Sequence, residues 1–399
     1  MIEITNFKKH LLLLSLLLSL FVSSFAYADS VRILDNARDA LSLRYELIKK
    51  AKSQILISYF IFAEDETSME ILALLREKAR EGVDVKIIVD ALFNSIPQYV
   101  GTHLTQSGIQ IKNFNKFNIF RFGRSIKNRM HDKMLVVDGE EIILGGRNIE
   151  DTYYDRADKN YTDRDVYVAG NTAKMASEYY LELWQAKHLT NFKLAKPKIK
   201  RAKKHAKYLK QLEEAVEIID NAQSKYLNKK MIFSFAHWTS KAIEVDSVEL
   251  AHDEISSVKN SKVGTTQKLY ELLKNAKHTV IIDSPYLIMT RKLKNIFKKL
   301  ISENVKIRIL TNSLKSTDGL FPAAGYLNQR RKIAKMGIEL YEYNSKDSFH
   351  SKSFVIDNEV AIIGSFNLDP RSQNLNTETL AIIKDERVAK RLLNRWMRH

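Results

Sequence analysis

Hydrophobic and polar positions along the chain change period in an order that occurs twice. From 66 to 82, ETSMEILALLREKAREG spaces its apolar residues as one helix face and stops at Gly82. On either side, SQILISYFIF (53–62) and VDVKIIVDAL (83–92) are apolar runs of strand length, as in strands covered on both faces. IQIKNFN (109–115) predicts a third strand. HDKMLVVD, a turn at Gly139-Glu140 and EIILGG predict a hairpin over 131–146, followed by a strand at 165–170 and a helix over 172–189. The order then returns. YELLKNAKHTVIIDSPYLI (270–288) matches YELIKKAKSQILISYFIF (45–62), and a helix, ENVKIRILTNS, a second helix ending at Gly337, IELYEYN and another hairpin follow. The chain reads as an internal duplication of a β-α-β unit, an α/β protein whose two similar halves carry mixed sheets.

Composition bounds this picture. At 399 residues and 45% hydrophobic content the chain can bury two cores. It has no cysteine, which excludes disulfides, a thiolate nucleophile and Cys-ligated metals. The first 28 residues have the form of a secretory signal peptide: Lys8 and Lys9, an apolar run from Leu11 to Val22, and Ala26-Tyr27-Ala28 before Asp29. Export to the periplasm or medium is therefore expected. The expected divisions are 1–28 leader, 29–190 first half, 191–263 basic helical insert and 264–399 second half. The net charge is +17, of which the leader carries +1 (Lys8, Lys9, Glu3), leaving +16 by subtraction. Such a charge suits anionic lipid surfaces or nucleic acid and does not choose between them. Residues 191–210 hold nine Lys or Arg and no acid, and read equally as a polyanion contact or as a solvated face.

The candidate chemistry sits in the two hairpins, HDKMLVVDGEEIILGGRN (131–148) and HSKSFVIDNEVAIIGSFN (350–367). In each, Lys follows His by two, Asp by seven, Gly by fourteen and Asn by seventeen. In a strand, His131 and Lys133 share one face, as do His350 and Lys352. An imidazole beside an ammonium suits an anion rather than a cation. Asn148 and Asn367 can donate to the same anion, and Gly145, Gly146 and Gly364 are expected to keep its approach uncrowded. Packed face to face, the copies place one His on each side of a phosphate. One attacks phosphorus, the other protonates the leaving alcohol, and the phosphohistidine is opened by water or an alcohol. Lys133, Lys352, Asn148 and Asn367 stabilise the phosphoryl oxygens. Asp138 and Asp357 lie at the hairpin turns and are expected to be structural. His103, His188, His205, His237, His252 and His278 show no metal-ligand spacing, and Trp184, Trp238 and Trp396 are read as core or interface residues.

These paired motifs resemble the phospholipase D superfamily signature, H-x-K-x4-D-x6-G-[GS]-x-N, which both copies match in full, with Gly146 and Ser365 at the variable position. GSFNLDPRSQNLNTE and GGRNIEDTYYD look most like bacterial cardiolipin synthases and phospholipase D-like proteins. The resemblance implies two α-β-α sandwich halves with the site at their interface, no metal and no cofactor. It implies His131 as nucleophile and His350 as general acid. It also implies an orienting carboxylate beyond each Asn: Glu378 for the second copy and Asp163 for the first, with Tyr161 where relatives carry Trp. The expected activity is an exported, peripheral, monomeric phospholipase D-type enzyme that hydrolyses or transfers phosphatidyl groups. A metal-independent exported nuclease is the alternative.

Overall fold

A computed structural model describes residues 28–396 apart from 116–127, 198, 228–234 and 255–263, so the expected leader up to residue 27 lies outside the described residues, as does the Trp396 side chain. The strands in chain order are β1 (Asp29–Leu34), β2 (Gln54–Tyr59), β3 (Asp84–Asp90), β4 (Gln110–Phe114), β5 (Lys133–Val137), β6 (Glu141–Gly145), β7 (Tyr161–Thr162), β8 (Asp165–Ala169) and β9 (Leu189–Asn191). They continue as β10 (Ile243–Val245), β11 (Val248–His252), β12 (Thr279–Asp283), β13 (Lys306–Asn312), β14 (Glu339–Tyr343), β15 (Ser348–Phe349), β16 (Ser353–Ile356), β17 (Val360–Gly364) and β18 (Thr379–Lys384).

Two mixed sheets follow, ordered β10-β1-β8-β6-β5-β2-β3-β4-β9 and β11-β18-β17-β16-β12-β13-β14. From β1 to β4 and from β11 to β14 the orders correspond strand for strand. In each, three parallel strands continue into an antiparallel hairpin. The apolar runs split by parity, because alternate side chains leave a strand on opposite faces. Ile55, Ile57, Leu135, Val137 and Ile143 face the outer helices of the first half. Val280, Ile282, Phe354, Ile356 and Ile362 do the same in the second. Leu56, Met134, Val136, Ile142, Leu144, Val166 and Val168 form one further core with Ile281, Val355, Ile363, Ala381 and Ile383. The halves therefore share a core between their sheets, which is why both faces of the central strands are apolar.

The middle stretch differs from the expected insert. β10 adds to the first sheet beside β1, and β11 takes in the second sheet the place β1 has in the first. The second half thus begins at Val248, not at 264. The helix Ala202–Leu227 lies against the helices Glu66–Arg80 and Gln98–Gln106 and buries Tyr208, Ala215, Ile219, Ala222 and Tyr226. Its apolar residues recur at helical spacing because one face is a packing face. Trp238 is buried under the Arg32 guanidinium, 4.5 Å from the ring centroid. Among the described residues, no helix is long and apolar enough to cross a membrane.

Candidate active site

The two-residue strands β7 and β15 pair in parallel across the halves, Ser348 with Tyr161 and Phe349 with Thr162. The His350 N–H donates to the Thr162 carbonyl at 2.8 Å. A matching parallel bridge joins Met130 to Thr377, and the His131 N–H donates to the Thr377 carbonyl at 3.0 Å. Each histidine therefore emerges beside the residue that precedes the other half's carboxylate. His131 Nδ1 lies 2.8 Å from Glu378 Oε2, and His350 Nδ1 lies 2.6 Å from Asp163 Oδ2. This corrects the expected pairing within each copy: Glu378 holds the first-copy histidine and Asp163 the second. The two carboxylates are nonetheless equivalent in the fold. Asp163 stands two residues before the partner of Gly145, and Glu378 two residues before the partner of Gly364.

A family described as cardiolipin synthase, PLD-like domain, matches residues 45–184 and 269–399, the two segments that carry the paired histidines. The chain belongs to this family. It is 30% identical over 389 residues to an uncharacterized protein of Helicobacter pylori (strain ATCC 700392 / 26695), covering 90% of this chain and 77% of that one. It is 28% identical over 404 residues to cardiolipin synthase C of Escherichia coli (strain K12), covering 91% and 83%. Among solved structures, phosphatidylserine synthase from Haemophilus influenzae Rd KW20 superposes with a TM-score of 0.66 at 17% identity, covering 90% of this chain and 85% of that one. That likeness establishes the two-half fold.

Of the eight polar residues singled out above, His131, Lys133, Glu378, His350, Lys352 and Asp163 lie together, and Asn148 reaches them through Tyr153. His131 and His350 are 7% and 6% exposed, and Lys133, Lys352, Asn148 and Asn367 are buried. The Lys133 ammonium turns back to donate to the His131 carbonyl at 2.7 Å. Lys352 donates to the His350 carbonyl and sits 2.8 Å from His350 Nδ1. An ionised carboxylate can only accept, so with Asp163 and Glu378 ionised the Nδ1 proton faces the carboxylate and a neutral ring presents its bare Nε2 to the site. Asn148 donates to the Tyr153 hydroxyl at 2.8 Å and accepts from the Ile61 N–H at 3.2 Å. Asn367 Oδ1 is buried with no hydrogen-bond partner among the described residues. Toward an anion each amide can offer only an Nδ2 hydrogen, since the bare Oδ1 of Asn367 is an acceptor.

Electrostatics separate the two histidines. Burial, then Lys133, Lys352 and His350, push His131 well below the usual imidazole range. Burial and Lys352 also lower His350, but Asp163 opposes them. Burial raises the Asp163 carboxyl, yet Lys352, His350 and Arg147 more than reverse it, so Asp163 is held low. Burial raises Glu378, with Lys133 drawing it back, and burial lowers Lys133, with Glu378 drawing it up. His350 thus leans on an ionised partner, whereas Glu378 is the more readily protonated carboxyl.

The variable motif position explains part of this asymmetry. Ser365 Oγ donates to Glu378 Oε2 at 2.5 Å and accepts from the Thr379 N–H at 3.0 Å. At Gly146 there is no room for a side chain, since a Cβ would come within 2.7 Å of Asp163 Cγ. The expectation that these glycines clear a path for the anion is therefore revised. The space at Gly146 holds the Asp163 carboxylate, and Gly145 and Gly364 lie against the backbones of β8 and β18. Arg147, which stands where Phe366 stands in the second half, is buried and donates to the Asp163 carbonyl at 2.6 Å. Asp138 and Asp357, at φ 54° and 55°, accept backbone N–H groups of residues 52–54 and 277–279. They tie each hairpin turn to the start of the neighbouring strand.

Aromatic neighbours went unread in the sequence. The His350 ring is 5.3 Å from Tyr153, 5.2 Å from Tyr161 and 6.4 Å from Tyr286. Tyr286 and Tyr161 both donate to Asp318, at 2.8 and 3.1 Å. His131 instead meets Phe60 at 5.0 Å. No spacing links these rings to the motifs; only Tyr161, two residues before Asp163, carried a local signal. Among the described residues no group of three or more His, Cys, Asp or Glu is disposed to hold a metal.

Proposed function

We propose that the chain is a cardiolipin-synthase-type phosphatidyltransferase acting through a phosphohistidine. The observation that carries this reading is the pair of crossed His–carboxylate contacts, which hold two imidazoles in one buried, cation-rich site. His131 Nε2 attacks the phosphorus of a phosphatidyl donor. The P–O bond to the leaving alcohol breaks as protonated His350 gives its proton to that oxygen. An acceptor alcohol then yields its proton to His350 and attacks phosphorus, breaking the P–N bond and restoring both rings. Lys133, Lys352, Asn148 and Asn367 stabilise the phosphoryl oxygens in both steps. The depression of His131 supports it as the neutral nucleophile, and the ionised Asp163 supports His350 as the group that carries the proton.

Two relations favour transfer to a lipid alcohol: the family and the similarity to a cardiolipin synthase. We place the reaction at an anionic membrane surface outside the cytoplasm, in line with the leader and with the start of β1 at Asp29. Incubation of the protein with phosphatidylglycerol tests the reading. Cardiolipin and glycerol are the expected products, and both are lost in His131→Ala and His350→Ala. Phosphatidic acid alone would make the enzyme a hydrolase. Lipid left intact while plasmid DNA is cut in EDTA would overturn the reading in favour of a nuclease. In His350→Ala, the phosphatidyl adduct is expected to accumulate on His131; an adduct on His350 in His131→Ala would reverse the roles.

A further inference from the structure

We propose that the protein docks on an anionic phospholipid bilayer through two apolar loop tips that flank the histidines, Leu92-Phe93 in the first half and Leu314, Leu320 and Phe321 in the second. The inference rests on the phosphatidyl-transfer reading and assigns the surface through which a membrane substrate reaches the site. The tips follow equivalent strands, since β3 and β13 are the middle members of the parallel triplets. Leu92 and Phe93 are 43% and 44% exposed, Leu314 63%, Leu320 86% and Phe321 92%. Isolated surface leucines are ordinary, but apolar residues gathered at the mouth of a polar site mark an interaction surface.

Each tip is joined to a histidine by a short chain of contacts. Phe93 packs 4.4 Å from Phe60, whose ring is 5.0 Å from His131. Leu320 follows Asp318 by two residues, and Asp318 accepts from Tyr161 and Tyr286, the rings beside His350. One tip is thus linked to His131 and the other to His350.

The helix Leu320–Ala334 points to the occupant. It contains no acidic residue. At 3.6 residues per turn, Leu320, Leu327 and Arg331 share one face, and Lys332 lies on the line of Phe321. Arg331, Lys332 and Lys335 are exposed. The helix thus presents an apolar end and, about 16 Å along it, a basic end. Tyr326 and Ile333 anchor its opposite side. An apolar tip immersed below the headgroups, with cations at the level of the phosphates, is how a protein lies on an anionic bilayer.

The absence of native cysteine makes the test direct. Single-cysteine proteins Phe93→Cys, Phe321→Cys and Glu178→Cys, the last exposed and in neither loop, are labelled with an environment-sensitive fluorophore. They are then mixed with vesicles of phosphatidylcholine alone or with equal phosphatidylglycerol. The expected result is a blue shift at 93 and 321 with phosphatidylglycerol, weakened by salt, and none at 178. Silence at 93 and 321 with every vesicle, or an equal shift at 178, overturns the proposal. A second arm compares Leu320→Ser/Phe321→Ser with the parent. Turnover of vesicle phosphatidylglycerol should fall about ten-fold, while turnover of a dispersed short-chain phosphatidylglycerol is unchanged; equal losses on both would also overturn it. The fluorescence arm needs no turnover. Shifts in a protein that leaves lipid intact would fell the transferase reading alone, and silent probes on an active enzyme would fell the docking surface alone.

Discussion

At the scale of single residues, the two motif copies differ where their carboxylates need different room. Asp163 fills the space that a side chain at 146 would take, whereas Glu378 hydrogen-bonds the side chain present at 365. Gly146→Ala should therefore displace Asp163 from His350 and lower kcat by about 10²-fold, the scale of a 1 Å misplacement. Ser365→Ala removes two hydrogen bonds of about 1 kcal/mol each, one to Glu378 and one from the Thr379 N–H, and leaves the Glu378–His131 contact, so its kcat should stay within roughly ten-fold of the parent. Steady-state kinetics on both variants check the order. Asp132, beside His131, makes a separate prediction. It is buried, accepts from Tyr179 and Thr377, has no partner for Oδ1 among the described residues, and is pushed up to about 6 by burial. A carboxyl raised above its unfolded value of 3.8 contributes stability that is full below that value and is lost as pH rises through about 6. Asp132→Asn removes this loss, so its stability relative to the parent should improve by about 2 kcal/mol between pH 4 and pH 7.5. Urea unfolding at the two pH values measures it, and no pH-dependent difference would show Asp132 to be ionised without penalty.

At the scale of elements, much of the frame was legible. Apolar runs of strand length, the helix stop at Gly82 and the turn at Gly139 all became elements near their expected bounds, because each signal is local and reinforced by burial. The approach of the two His-Lys pairs was legible too, through repetition. The crossing of the carboxylates was not. It is set by β7 and β15, two residues each, whose pairing spans 187 positions from Ser348 to Tyr161 (348 minus 161) and leaves no period in either segment. The place of β11 was hidden for the same reason: VELAH gains its identity from its partner β18, not from its pattern. The crossing has a kinetic signature. Asp163→Asn should resemble His350→Ala, and Glu378→Gln should resemble His131→Ala, each carboxylate variant losing about 10²–10⁴-fold as its histidine loses orientation. A phosphatidyl ester with a p-nitrophenol leaving group separates the pairs, because that alcohol departs without a proton. The burst of p-nitrophenol should survive in Asp163→Asn and His350→Ala and disappear in Glu378→Gln and His131→Ala. Grouping of Asp163→Asn with His131→Ala would return the carboxylates to their own copies.

At the scale of the molecule, the duplication gives one folding unit rather than two joined ones. The inner faces of both sheets meet in a single core, in which Leu144 and Val166 of the first half lie with Ile363 and Ala381 of the second. Each histidine is in turn oriented from across that interface. A half standing alone would expose the inner face of a sheet and carry a histidine without its carboxylate. Unfolding one half therefore removes both the cover and the site of the other, and the two should lose structure together. Leu144, fully buried in the shared core, reports this. Leu144→Ala should cost about 2–5 kcal/mol, the range for a leucine truncated in a packed core. Native-state hydrogen exchange resolves where the loss falls. Amides of β5–β6 and of β16–β17 should open with similar free energies in the parent, and Leu144→Ala should lower both by the same amount, although the substitution lies in only one half. A drop confined to β5–β6 would mean that the halves unfold independently and that the shared core is an interface between two domains. A common drop would tie stability to catalysis: the interface that buries the apolar faces is also the one that brings each imidazole to its carboxylate.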